Sequence, residues 1–249
     1  GGSSAERALS ITIDTAPVPN PDITSITWTT NEGYVYGNIA INGGNFGASR
    51  GTGKVELKFQ GGSFVSIPVE KIYSWNNTKI EVGIPKSIGT THAVAGTAEV
   101  KITTHLGQNA SRTFVLKPKV YNVKPTEGPV GTIVTIEGTA FHGTAGNNSV
   151  SFGGTINSAS KITRGTNVDT LEVSVPTGAT TGALRLIVTG QISNTNYEWG
   201  DLKPIIFTVP GTSTPTISNL NITRDADAVG SSVSVSWQTS PAASLVTDF

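Results

Sequence analysis

Apolar residues recur at every second position through most of the chain, and no stretch holds a helical period of 3.6 over three turns. Ile39 and Ile41, Val134 and Ile136, Val150 and Phe152, Val173 and Val175, and Leu184 and Leu186 each place two apolar side chains on one face of an extended segment. Gly, Pro, Asn and Thr separate these segments at roughly ten-residue spacing. The pattern predicts short, half-buried strands, each with one face toward a core.

The strands fall into one unit written twice. P-D-I-T-S-I from Pro21, P-K-V-Y-N-V from Pro118 and P-T-I-S-N-L from Pro215 begin at equal intervals. Ile39, Ile41, Gly43, Phe46, Val55 and Leu57 correspond at one constant offset to Val134, Ile136, Gly138, Phe141, Val150 and Phe152. T-K-I-E-V-G-I-P at 78–85 returns as D-T-L-E-V-S-V-P at 169–176 with its first residue changed. Gly96, Ala98, Val100 and Ile102 return as Gly182, Leu184, Leu186 and Val188, and Phe114 returns as Phe207. About seven short strands per unit, separated by turn formers, is the immunoglobulin-like pattern. The expected fold is therefore all-β, with tandem immunoglobulin-like β-sandwiches at 19–117 and 118–210. Val134, Ile136, Phe141, Val150, Phe152, Val173, Val175, Leu184, Leu186 and Phe207 should form the second core.

The flanks read as parts of other units. Residues 1–18 are a flexible lead or the end strand of a preceding domain, with Leu9, Ile11 and Ile13 on one face. Residues 211–249 are a linker and an incomplete unit, with Val233, Val235 and Trp237 on one face. From Pro215 onward too few residues remain for a sandwich of about 100. The second unit also carries an insertion at about 191–203 that holds Tyr197 and Trp199.

Composition narrows the function classes. The chain has 249 residues, 14% of them charged, with 29 Gly and 13 Pro. Its formal net charge is zero, which leaves no electrostatic footprint for nucleic acid or an anionic membrane. No Cys is present, which excludes disulfides and zinc-thiolate sites. No Met is present either, even at residue 1, so the sequence reads as a processed product or an excerpt. No apolar run approaches the ~18 residues of a membrane helix, so no membrane insertion is expected of this segment.

Several motifs carry a resemblance. They are Pro118 and Val120, then Pro125, Gly128, the run from Gly131 to Ile136, Gly138 and Phe141, then V-S-F-G-G at 150–154 and L-E-V-S-V-P before Ala179 and Gly182. With these the second unit resembles the TIG (IPT) family of immunoglobulin-like domains. The first unit resembles it through G-G-N-F-G at 43–47 and S-W-N-N-T-K-I-E-V-G-I-P at 74–85, and departs where N-E-G-Y-V-Y-G replaces the family's Pro-Gly turn. The tail resembles the opening of a fibronectin type III domain through V-S-W-Q-T-S-P-A-A-S. The resemblance implies a module found as a spacer in microbial surface proteins, as a non-catalytic module in starch-acting enzymes, and in animal receptors and transcription factors. With no Cys and no basic cluster, a microbial extracellular or cell-surface setting fits best.

Candidate chemistry is sparse, and no catalytic constellation is visible. His92, His105 and His142 have no ligand-like spacing and read as surface-loop histidines. No G-x-S-x-G elbow occurs. Glu56, Glu81, Glu99, Glu137 and Glu172 alternate with apolar strand residues, so they should face solvent rather than pair across a sugar. Asp225 and Asp227 before Gly230 resemble a fragment of a calcium loop, and the favoured reading is a solvated loop. No cofactor is expected, and structural calcium held by distant oxygens is the one ion left open. Tyr73 with Trp75, and Tyr197 with Trp199, are spaced by two and could stack on sugar rings. For Tyr73 and Trp75 a lid over the core is favoured.

Three readings follow. The leading one is a non-catalytic segment of a microbial extracellular or surface protein, with semi-rigid spacer or adhesion modules partnered by neighbouring immunoglobulin-like domains or subunits. The second is a carbohydrate-binding or accessory module of a secreted polysaccharide-acting enzyme, resting on Tyr197 and Trp199. The third is a filament subunit that exchanges terminal strands.

Overall fold

The computed structural model describes residues 17–193 and 205–211 with their side chains, and the backbone of two further strands. The first unit contains β1 (Asp22–Thr30), β2 (Asn38–Gly44), β3 (Lys54–Lys58), β4 (Val65–Ser66), β5 (Ile72–Trp75), β6 (Lys79–Gly83), β7 (Ser87–Ile88), β8 (Thr91–His92), β9 (Gly96–Thr103) and β10 (Asn109–Leu116). They form sheets in the order β1-β2-β6-β5 and β10-β9-β3-β4, with β7 and β8 as a separate hairpin. The second unit contains β11 (Lys119–Lys124), β12 (Ile133–Thr139), β13 (Asn148–Phe152), β14 (Thr155–Ser158), β15 (Lys161–Thr163), β16 (Asp169–Ser174), β17 (Gly182–Val188), β18 (Gln191–Ile192) and β19 (Ile206–Phe207). Its sheets run β11-β12-β16-β15 and β14-β13-β17-β18, with β19 also on β17. The chain is thus built as tandem immunoglobulin-like sandwiches. Beyond them β20 (Thr216–Arg224) pairs antiparallel with β21 (Val233–Ser240), so the strand holding Val233, Val235 and Trp237 pairs within its own chain.

Period two explains the cores. Along β9, Ala98, Val100 and Ile102 are buried while the residues between them face outward. In the second sandwich all ten residues expected in the core are buried, and Phe152 meets Phe207 edge-on at 5.1 Å between ring centroids.

The two units share one corner. Gly43 and Gly138 sit on the second strand of each unit, paired with Ile23 and Val120 of the first. A Cβ on Gly43 would sit 1.8 Å from the Asp22 carbonyl oxygen and 2.7 Å from the Phe46 ring, and one on Gly138 would sit 2.0 Å from the Lys119 oxygen and 2.5 Å from the Phe141 ring. Two residues on, Asn45 and Ala140 both turn through the left-handed region, at φ 60° and 61°. That turn folds Phe46 and Phe141 back into their cores, where both are fully buried. The repeated G-x-x-F is therefore a packing device.

One expectation about the carboxylates is corrected. Glu56 faces outward as its position in β3 dictates, yet it is only 8% exposed. Lys101 on β9 and Lys54 close over it at 2.9 and 3.2 Å, and the Lys101 ammonium also lies 4.4 Å from the centre of the Phe64 ring. Burial acts to raise the Glu56 pKa, but the ammonium groups of Lys101 and Lys54 outweigh it and leave the carboxyl below its usual value. Cross-strand charge pairs therefore roof this sheet.

Phe152→Ala should cost about 3–5 kcal/mol in urea denaturation, because Phe152 is fully buried against Phe207. Gly138→Ala should cost about 1–3 kcal/mol, because the added carbon meets backbone as well as the Phe141 ring. A loss below ~1 kcal/mol for Phe152→Ala would contradict this packing.

Candidate functional site

The densest polar arrangement lies where the two sandwiches meet. Lys86 follows β6 and opens the β7–β8 hairpin, whose far end returns through the Ala93 N–H to the Lys86 carbonyl at 2.8 Å. This projects the Lys86 ammonium from the end of the first sandwich toward the second. There Asp169 begins β16, held opposite Gly138 of β12. Lys86 Nζ lies 2.7 Å from Asp169 Oδ1, with side-chain exposures of 3% and 1%. Arg164, just beyond β15, donates from Nη1 to Asp169 Oδ2 at 2.5 Å and from Nη2 to the Phe141 carbonyl at 3.1 Å. The Gly165 N–H donates to Asp169 Oδ1 at 3.3 Å, and Lys86 Nζ also donates to the Gly165 carbonyl at 2.6 Å. A carboxylate buried this deeply is tolerable only with such a full set of donors.

Further bonds cross the same boundary. The Ala95 N–H donates to the Ala140 carbonyl at 2.9 Å, and the Thr189 hydroxyl donates to the Ala95 carbonyl. The Tyr36 hydroxyl donates to the Asn167 carbonyl at 2.8 Å. Lys119, buried at the start of β11, sets its ammonium 4.5 Å from the centre of the Tyr34 ring. The connecting residues are tied as well, through the Lys117 N–H to the Gly33 carbonyl at 2.6 Å. Two sandwiches joined by a few residues would otherwise move freely; here the charge network and its surrounding bonds fix their relation.

Two titrating groups border the network. Burial pushes the Tyr36 phenol up, and the Asp169 charge adds to the effect. Burial pushes the His92 pKa down, with the charges of Arg164 and Lys86 acting the same way and Asp169 opposing them. His92 Nδ1 is buried and has no hydrogen-bond partner. The expectation that His92 sits in a surface loop is corrected: it ends the β7–β8 hairpin, partly buried against the junction.

Other candidates from the sequence are dispersed. Tyr73 and Trp75 do not share a face, because β5 is bulged between Ile72 and Ser74. Tyr73 is 52% exposed and lies over Gly83, whereas Trp75 packs against the core and donates from Nε1 to the Phe46 carbonyl at 3.0 Å. Tyr197, Trp199, Asp225, Asp227 and the Leu9 to Ile13 segment lie outside the described residues. Among the described residues no group of three His, Asp or Glu side chains could hold a metal ion, and no helix is long and apolar enough to cross a membrane. Sequence reasoning missed Lys86, Arg164 and Asp169. The available signal was the broken repeat, where Asp169 takes the place of Thr78 in an otherwise matching strand.

The second sandwich, whose corner, strand order and buried residues are now described, has a recognisable type. Residues 118–200 match the IPT/TIG domain family. That stretch contains the Gly138–Phe141 corner and β13, whose Val150 and Phe152 are fully buried. The first sandwich is tied to it by the same corner and the same strand order. A crystal structure of murine CEACAM1b is similar at 11% identity, covering 74% of this chain and 98% of its own, with a TM-score of 0.20. The crystal structure of the mouse coronavirus receptor-binding domain complexed with its murine receptor is similar at 10% identity, covering 68% and 96%, with a TM-score of 0.20. No curated protein matches the sequence.

Asp169→Ala would strand the buried Lys86 ammonium and should cost about 3–5 kcal/mol. The double Lys86→Met, Asp169→Leu variant should lose less than the single change, measured by chemical denaturation. The His92 shift has a definite sign. Its folded pKa lies below the ordinary 6.5, so the unfolded chain binds the extra proton first. Its contribution is intact above pH 6.5 and is lost as pH falls from there through the folded value. Melting temperatures followed downward from pH 7.5 should therefore decline less steeply in His92→Gln than in the native chain. Parallel curves would exclude His92 as a source of the decline.

Proposed function

We propose that the chain is a non-catalytic, semi-rigid spacer segment of a microbial extracellular or cell-surface protein, holding adhesion modules at a set distance and angle. The observation that carries this reading is the buried Lys86–Asp169–Arg164 network across the junction. A spacer transmits geometry, and geometry is kept only when the joint between modules is stiffer than its connecting peptide. The IPT/TIG match supports a non-catalytic module in general. The lack of Cys and of a basic surface disfavours disulfide-linked receptor and DNA-facing settings of such domains.

The test is a pulsed electron-resonance distance measurement. The native chain has no Cys, so Glu70→Cys and Ser158→Cys label the two sandwiches uniquely at exposed positions. One narrow distance distribution is expected, broadening when Asp169→Ala is added. A broad distribution with Asp169 intact would refute the spacer reading.

A further inference from the structure

The two sandwiches treat the same lateral seam differently. In the second, Pro125 has no N–H to offer β12, and the chain leaves β11 for the opposite sheet. There Glu127 forms a parallel bridge with Thr208: the Thr208 N–H donates to the Thr126 carbonyl at 3.0 Å and the Gly128 N–H to the Thr208 carbonyl at 3.0 Å. That short extended segment closes the seam. In the first sandwich β1 stays on β2 from Asp22 to Thr30, with bulges at Thr24 and Thr29, and β10 remains the edge of its sheet. The residue matching Thr208 is Val115, since each follows the matched Phe, and Val115 is 46% exposed.

The seam of the first sandwich is thus a groove of about 380 Å³ between β1 and β10. Its floor is apolar: Trp28 meets Phe114 edge-on at 5.9 Å, and Ile26 and Trp28 pack against the core. Its lower end is tied by the Lys117 N–H to the Gly33 carbonyl. Its rim holds two cations, Arg112 and Lys117, against one carboxylate, Glu32. Arg112 also donates to the Ile23 carbonyl at 2.9 Å, which stations it over the groove.

We propose that this groove is a strand-addition site that takes an extended, acidic segment of a partner polypeptide, running parallel to β10. The seam of the second sandwich is the template: it is filled by a parallel extended segment with a glutamate at the bridge position. An open sheet edge supplies backbone donors and acceptors, and the apolar floor takes alternate side chains. Charges along an edge deter indiscriminate pairing, and a cationic rim selects an acidic strand by complementarity.

The test is a titration of the ¹⁵N-labelled full chain with two synthetic peptides, acetyl-T-E-V-E-V-E-G-amide and the same peptide with Lys in place of each Glu. The acidic peptide should shift the Thr113 and Val115 amides and the Trp28 indole saturably. The lysine peptide should bind at least about 10-fold more weakly, and Arg112→Glu with Lys117→Glu should reverse that order. No shift in β1 or β10 at about 1 mM acidic peptide would overturn the proposal, as would shifts confined to other strands. Equal affinity for the two peptides would overturn it too, and that comparison needs only the native chain.

Discussion

Moving an ionised carboxylate from water into a protein interior is among the costliest steps a fold can take. Asp169 takes it, and the way its charge is met determines how the two halves of this chain relate. One partner, Arg164, comes from its own sandwich, and the other, Lys86, comes from the preceding one. If the sandwiches separated, Lys86 and Asp169 would each lose a short ion pair and would need water where packing now excludes it. The desolvation cost that makes a buried ion pair a poor source of net stability makes it a strict determinant of geometry. Apolar contacts slide at small cost, whereas a carboxylate holding three donors within hydrogen-bonding range does not.

The junction also reuses the repeat. The left-handed turn at Asn45 and Ala140 exists to fold a Phe into each core. In both sandwiches the carbonyl of that Phe is satisfied by a side chain. In the first, the Trp75 indole donates to Phe46. In the second, the Arg164 guanidinium donates to Phe141 and still has nitrogen left for Asp169. The two donors come from different register positions: Ile162 takes the place of Trp75 in the second sandwich, and Arg164 reaches the Phe141 carbonyl from beyond β15, where it can also meet Asp169. The neighbouring Ala140 carbonyl is taken by the Ala95 N–H of the other sandwich.

The same comparison explains the unequal flanks. Both sandwiches carry the strand order that makes a two-sheet core, yet only the second sends its first segment across to the opposite sheet. Pro125 interrupts the ladder there, while Trp28, Thr29 and Thr30 retain their N–H groups and let β1 continue. The segment that begins at Pro125 bridges Thr208 of the opposite sheet, whereas the one that begins at Trp28 stays beside β2.

Strand identity, the duplicated unit and the core were legible from residues alone, because period two and a short-range turn vocabulary act locally and were written twice. Ile39 with Ile41 and Val134 with Ile136 needed no tertiary information to be placed on one face. Even the G-x-x-F corner was visible as a repeat before its crowding against Asp22 and Lys119 gave the reason. The pairing of Lys86 with Asp169 was not legible, because the two residues belong to different units and their meeting depends on how one sandwich is set on the next. Nor was the burial of Glu56, since outward-facing carboxylates look alike until a lysine of the neighbouring strand, Lys101, joins Lys54 of the same strand over one of them. Tyr73 and Trp75 failed as a pair for a related reason: alternation predicts a shared face only in a regular strand, and the bulge in β5 is set by its pairing with β6. Local periodicity determined what each segment is; only the packing of sheets and sandwiches decided which charges, edges and aromatic faces would meet.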